Sequence, residues 1–362
     1  MALDRIILAD FRNHRATQLD GAAQFNLLIG ENGAGKTNVL EALSLLAPGR
    51  GLRRAALSEL PAQGGHGQGG SGGFALSAEL IGGTRLGTAI RPERPTRRMV
   101  QINGAEASAV SLSEWLSLGW LTPAMDRLFA EGPGARRRFL DRMVLALEPG
   151  HARNAAQYEA ALRERNRLLS DVAEPDPAWL DALEAQLAEA GEAVSAARAR
   201  LIQRLMQVLA ELPDAPFARP ALAYQPGGPS EPGALAPALA HGRRRDRAAQ
   251  RTLIGPHRDE LIVHMAGNGQ AAADCSTGEQ KALLIAITLA HAELQDHDRP
   301  RVLLLDEVAA HLDPIRRAAL FARLRAGAAQ VWLTGTELAP FDDIVAEAAV
   351  WRVSAGAAVR EG

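Results

Sequence analysis

The stretch Phe25-Asn26-Leu27-Leu28-Ile29-Gly30-Glu31-Asn32-Gly33-Ala34-Gly35-Lys36-Thr37-Asn38 decides the fold. FNLLI is a short apolar run of strand length that stops at a glycine-rich turn. Behind it, Val39, Leu40, Leu43 and Leu46 recur at helical spacing. Residues 30–37 fit G-x-x-x-x-G-K-[ST] between a predicted strand and a predicted helix, the context this phosphate-binding loop requires. Its glycines let backbone N–H groups wrap phosphates, and the helix N-terminus adds a favourable dipole. Lys36 is placed to reach the β and γ phosphates of a nucleotide, and Thr37 to ligate Mg²⁺.

Working outward, residues 5–8 (RIIL) read as a strand. FALSAEL (74–80), TRLGTAI (84–90) and RMVQI (98–102) alternate like half-buried antiparallel strands, with a turn at Asn103-Gly104. QGGHGQGGSGG (63–73) reads as a flexible low-complexity loop. Residues 134–171 and 178–211 are charged, alanine-rich and helically periodic, and AEPDP (173–177) separates them into two long antiparallel helices. The Pro/Gly stretch 225–237 leads back to a final α/β third. There RVLLLDE (301–307) and AQVWLTGT (329–336) read as strands, and 279–295 and 314–326 as helices. Alternating strands and helices imply a parallel sheet. The expected fold is therefore α/β: a P-loop ATPase head of mixed sheet with an antiparallel part, formed by 1–120 plus 252–362, interrupted by a helical coiled-coil arm over 121–251.

Composition narrows the class. A chain of 362 residues that is 47% hydrophobic and 23% charged is globular and not disordered. A single cysteine, Cys275, excludes an internal disulfide and suits a reducing compartment. The N-terminus has no signal-peptide core and no apolar run reaches membrane-spanning length, so the expectation is a cytoplasmic protein without a membrane partner. Net charge of −2 gives no global nucleic-acid signature, so DNA binding would need local basic faces. RPERPTRR (91–98), RRR (136–138) and RRRDR (243–247) are the candidates, each also readable as an ordinary solvated face. The histidines show no zinc-type pairing, which leaves Mg²⁺ as the expected metal.

Two further segments carry chemistry. The strand 301–305 delivers Asp306 and Glu307 at its C-terminal end, the edge at which ligands bind in open α/β sheets. Asp306 suits a Mg²⁺ contact, and Glu307 suits a base that polarises water. Ser276-Thr277-Gly278-Glu279 is a capping box before an apolar helix. The same geometry makes an anion site able to meet a γ-phosphate presented by a second subunit. Of the 40 lysines and arginines only Lys36 and Lys281 are lysine, one in each of these phosphate-related segments. That placement points to a demand for compact charge.

These residues together resemble the ABC-type ATPase heads of SMC-like DNA repair proteins. FRNH (11–14), GENGAGKTN (30–38), TPAMDRLFAEGPGARRRFLDRM (122–143), IGPHRDEL (254–261), STGEQKALL (276–284) and LLLDEVAAHLD (303–313) are similar, in order and nearly end to end, to the RecF family of recombination mediators. The resemblance implies an ATP-dependent head-to-head dimer. Each ATP would be held by Gly30, Asn32, Gly33, Gly35, Lys36, Thr37 and Asn38 of one head, with Arg12 and Asn13 nearby. Ser276 and Gly278 of the other head would cover it, and Asp313 would face the seam. Asp306 and Thr37 match the Mg²⁺ positions and Glu307 the catalytic base. The implied partners are double-stranded or gapped DNA and RecR, with RecO and RecA in the pathway, and the implied hydrolysis is slow. Two positions depart from the patterns compared: His14 stands where the family usually has tyrosine, and Thr334-Gly335-Thr336 stands where transporter ATPases carry a histidine. The alternatives are another SMC-like chromosome-maintenance ATPase and an ABC-type transporter ATPase subunit. A transporter subunit would place its Ser-x-Gly signature, here Ser276-x-Gly278, much nearer the P-loop than the 240 residues that separate Ser276 from Lys36.

Overall fold

The computed structural model describes residues 2–62, 72–171, 173, 175–213, 215–294 and 299–361. Most of the low-complexity loop expected at 63–73 lies outside them. In chain order the elements are β1 (Leu3–Phe11), β2 (His14–Asp20), β3 (Phe25–Ile29), α1 (Lys36–Ser44), β4 (Phe74–Leu80), β5 (Arg85–Arg91), β6 (Arg94–Ile102), β7 (Ala105–Ala107) and β8 (Ser117–Leu121). Then come α2 (Pro133–Leu147), α3 (His151–Ser170), α4 (Pro177–Glu211), β9 (Pro220–Gln225), α5 (Leu235–Ala249), β10 (Glu260–Met265) and α6 (Thr277–Glu293). The chain closes with β11 (Arg301–Leu305), α7 (Pro314–Ala326), β12 (Gln330–Gly335), β13 (Ala348–Ser354) and β14 (Ala357–Arg360).

Two compact units result, Met1–Met125 with Gln295–Gly362, and Asp126–Leu294. In the first, a six-stranded sheet runs β14-β13-β3-β12-β11-β8. Its ladders are parallel except for the terminal hairpin β13–β14. Every residue of β3, β11 and β12 is buried, so these strands read as continuous apolar runs rather than alternating ones. The second sheet, β2-β1-β4-β5-β6-β7, is antiparallel throughout. Asn103 and Gly104 close its last hairpin with positive φ at both positions, as a two-residue primed turn requires.

Both sheets and α1 bury one apolar core, to which Leu8, Phe11, Leu40, Leu76, Trp332 and Trp351 contribute. The two tryptophan rings stack at 5.3 Å, and truncating either to alanine would cost about 3–5 kcal/mol. The Gln330 side chain, itself fully buried, binds the backbone N–H of Leu3 at 3.0 Å and its carbonyl at 2.8 Å, tying β12 to β1.

Among the described residues the second unit is helical with one short antiparallel strand pair, β9–β10, between which α5 intervenes in the chain. α3 and α4 pack on each other, burying Tyr158, Leu169, Leu180 and Leu187. At 35 residues α4 is about 52 Å long, and Asp176 caps it by accepting from Ala178 N. The single long helix expected over 134–171 is two. α2 stops at Leu147 because Pro149 disfavours helical geometry at Glu148 (φ −117°, ψ 93°), and α3 begins after Gly150. Residues 252–294, with α6, pack within this unit.

Candidate active site

The site forms where β3, β11 and β12 end side by side. β3 feeds the phosphate-binding loop at Gly30, where a Cβ would lie 2.1 Å from the carbonyl oxygen of Val353, so only glycine fits beside β13. Gly35, at φ +117°, needs glycine twice over, since a Cβ there would strike His14 and Asn13 at 2.6–2.7 Å. Lys36 then starts α1. Its buried ammonium donates to the carbonyls of Gly30 (2.6 Å) and Glu31 (2.8 Å), curling the loop around it. Burial lowers its pKa, against the pull of Glu307 and Asp306. Asn32 and Gly33 are exposed on the outside of the turn.

Thr37 donates to Asp306 Oδ1 at 2.9 Å, joining the loop to the end of β11. Thr334, from β12, donates to the same oxygen at 2.8 Å. Burial raises the pKa of Asp306 above the usual carboxylate range, opposed by these two hydroxyls. The backbone N–H of Asp306 reaches Leu121 O at the end of β8 (2.9 Å), and that of Glu307 reaches Thr334 Oγ1 (2.9 Å). Glu307 is half-buried at φ +52°, a backbone setting that side-chain-bearing residues rarely adopt. A hydroxyl and a carboxylate at hydrogen-bond distance, beside a phosphate loop, are the oxygen donors that Mg²⁺ takes along with substrate phosphates.

Arg12, Asn13 and Asn38 join this group. Asn13 donates to Ala34 O (3.0 Å) and accepts from Asn38 Nδ2 (2.7 Å), bracing the loop from outside. His14 does the same, with Nε2 3.0 Å from Gly35 O and Nδ1 2.8 Å from Thr17 Oγ1. Arg12 makes a two-pronged pair with Glu41 (2.8 and 2.9 Å), whose side chain is 1% exposed. Arg53 shares that carboxylate at 3.0 Å and also donates to Asn38 Oδ1 at 2.7 Å. Sequence reasoning missed Glu41 and Arg53. The available signal was an acid at 41 among Val39, Leu40 and Leu43, on a face that must be buried. Asp313 caps α7 by accepting from Arg316 N at 2.9 Å, and is exposed.

Ser276 and Gly278 belong to the other unit. Ser276 caps α6 in a reciprocal box: its N–H and Oγ donate to Glu279 Oε2 (2.8 and 2.7 Å), and its Oγ accepts from Glu279 N (3.3 Å). Ser276, Thr277 and Gly278 are all exposed, so this N-terminus is open to solvent.

The basic runs divide between side chains with internal partners and exposed ones. Arg98 is half-buried and donates to the carbonyls of Leu45, Ala47 and Gly49 just beyond α1, and to Thr88 Oγ1. Burial pulls its pKa down to about 10. Arg136 pairs with Glu260, and Arg243 with Asp181 and Glu184. Arg91, Arg94, Arg138, Arg244 and Arg245 are exposed. His257 receives the Tyr158 hydroxyl at Nδ1 (2.6 Å) and donates from Nε2 to Thr252 O (2.9 Å). Its neighbour Asp259 is buried against Arg198 at 2.8 Å. The GPHRDE segment therefore organises the second unit's interior, with Arg258 outside.

Phosphate loop, paired acids at the end of β11 one strand removed in the same sheet, and an inserted helical unit bearing a capped Ser-x-Gly define an ABC-type P-loop ATPase head. The family described as RecF/RecN/SMC N terminal domain matches residues 2–344. The chain is 47% identical over 373 residues to the DNA replication and repair protein RecF of Mesorhizobium japonicum, covering 98% of this chain and 96% of that one. It is 44% identical to that of Brucella suis, covering 98% and 95%. This chain belongs to the RecF family. Its fold is also that of solved structures of the recombination mediator protein RecF with ATP, at TM-score 0.84, 21% identity and 99% coverage of both chains. It is more distantly like the Smc head domain from Pyrococcus furiosus, at TM-score 0.55, 15% identity, and 100% and 96% coverage. Among the described residues no helix is long and apolar enough to cross a membrane.

Proposed function

We propose that this chain is an ATP-gated DNA clamp of recombinational repair in the cytoplasm. It would close head to head on two ATP molecules, bind duplex or gapped DNA in that state, and act with RecR and RecO in loading RecA. The observation that carries the reading is the Thr37–Asp306 hydrogen bond, which joins phosphate loop and acidic strand into one nucleotide site. We assign the ATPase head to 1–120 plus 252–362 and the arm to 121–251. The segment 252–294 serves the partner's nucleotide although it packs with the helices.

In this reading Gly30, Asn32, Gly33 and Gly35 shape the loop whose N–H groups receive the phosphates. Lys36 exchanges its two loop carbonyls for phosphate oxygens. Thr37 and Asp306 would hold Mg²⁺, which would supply neutralisation of the nucleotide's phosphate charge. Glu307 orients and deprotonates the attacking water. Arg12, Asn13 and Asn38 fix the loop's outer wall. Ser276 and Gly278 of the second copy offer a helix N-terminus to the γ-phosphate, and Asp313 lies along the seam. Hydrolysis is slow and DNA-dependent because the site is complete only when two heads meet.

The test is ATP-dependent binding to gapped against blunt duplex over a salt series. The expected result is binding only with ATP, tighter on the gap, with affinity falling as salt rises. No DNA binding at any salt would overturn the reading.

A further inference from the structure

We propose that Thr334 is a positioning residue of the hydrolytic step: it holds both acidic residues in register and does not itself contact phosphate. The inference rests on the reading of Asp306 and Glu307 given above. Thr334 is 1% exposed, and a hydroxyl carries one proton. That proton goes to Asp306 Oδ1 at 2.8 Å, and the oxygen accepts the Glu307 N–H at 2.9 Å. With its single proton committed, the group cannot donate to a phosphate oxygen, unlike the side chain a γ-phosphate sensor needs.

Two further contacts place the same short segment at the centre of the site. Gly335 O accepts from Gly30 N at 3.2 Å, so the end of β12 touches the phosphate loop as well as the acids. A Cβ at Gly335 would come within 2.4 Å of the Phe341 ring, which pins this backbone in place. Glu307 sits at φ +52°, and its hydrogen bond to Thr334 secures that sparsely populated conformation and so aims the side chain. Thr37 also donates to Asp306 Oδ1 and can serve a cation only by releasing it. Thr334 has no such second duty, so it keeps the carboxylate oriented through the whole cycle.

Thr334→Val keeps the β-branched shape and removes both hydrogen bonds, and Thr334→Ser restores the hydroxyl. The readouts are single-turnover ATP hydrolysis, affinity for a fluorescent ATP analogue without Mg²⁺, and lifetime of the ATP-induced dimer by light scattering. For Thr334→Val, affinity should stay within about threefold, hydrolysis should fall about 10–100-fold, and the dimer should persist longer, as for loss of an outer partner of a metal ligand. Thr334→Ser should regain most of the rate. If Thr334→Val does not fold, Thr334→Ala carries the same comparison. Wild-type hydrolysis in the hydroxyl-free variant, loss of affinity as large as the loss of rate, or a serine variant no better than valine would each overturn the assignment. Glu307→Gln is run alongside: if it hydrolyses normally, the underlying reading fails. If it is slow while Thr334→Val is fast, only the role of Thr334 fails.

Discussion

Lys281 places its ammonium nitrogen 3.7 Å from Asp126 Oδ2, with 10% of the lysine side chain and 30% of the aspartate's exposed. This answers why a lysine survives one turn into α6 in a chain built on arginine. Lys281 is buried beside this acid, so exchanging its compact head for a planar fork would require repacking. Lys281→Met with Asp126 intact should cost about 1–2 kcal/mol, less than loss of a fully buried pair. Lys281→Arg should lose less, and Asp126→Asn added to Lys281→Met should recover part. Thermal melting of the four proteins checks the order. Equal melting of Lys281→Met and wild type would remove the pair from the account.

Arg98 separates structural from surface charge within the run 91–98. Its guanidinium satisfies three backbone carbonyls beyond α1. Arg98→Met should destabilise by about 2–3 kcal/mol by orphaning them, and Arg94→Glu on the exposed rim should leave stability within about 0.5 kcal/mol. Urea denaturation of the two variants gives the comparison, and similar midpoints would contradict it.

Acid should loosen the second unit through His291. Burial pushes this histidine's pKa down to about 4, helped by Arg142 and Arg204, and Nε2 donates to Met143 O. A histidine depressed in the folded state keeps its full contribution above the unfolded value of 6.5 and loses it as pH falls toward the folded value. Stability should therefore drop by about 2 kcal/mol between pH 6.5 and 5 on its account. His14 and His257, also lowered by burial, add with the same sign. His291→Gln should flatten the slope of urea midpoint against pH, and an unchanged slope would exclude the residue as a source.

The strand–loop–helix at 25–44 was legible because each local signal agreed: an all-buried strand, glycines where no Cβ fits, and apolar helical spacing. The hairpin at Asn103-Gly104 and the cap at Ser276 were legible for the same reason. The break at 148–150 was present in the sequence as Pro149-Gly150, but the surrounding helical periodicity masked it. β8, β9, β13 and β14 were not recognised, since SLGWL or AAVWRVS become strands by pairing with residues far along the chain. Glu41 and Thr334 owe their roles to partners 29 and 28 residues away, Arg12 and Asp306, which no local pattern announces. Within the runs 136–138 and 243–247, charge density alone does not separate Arg136 and Arg243, which have carboxylate partners, from the exposed Arg138, Arg244 and Arg245.

In the proposed mechanism the nucleotide site is completed by a second copy's α6, entered through Ser276 and Gly278. Light scattering of Glu307→Gln with ATP, alone and combined with Ser276→Arg, tests it most directly. Glu307→Gln should accumulate as a dimer only when ATP is present. Adding Ser276→Arg should return it to monomer while ATP binding persists. A dimer that forms without ATP, or that survives Ser276→Arg unchanged, would contradict it.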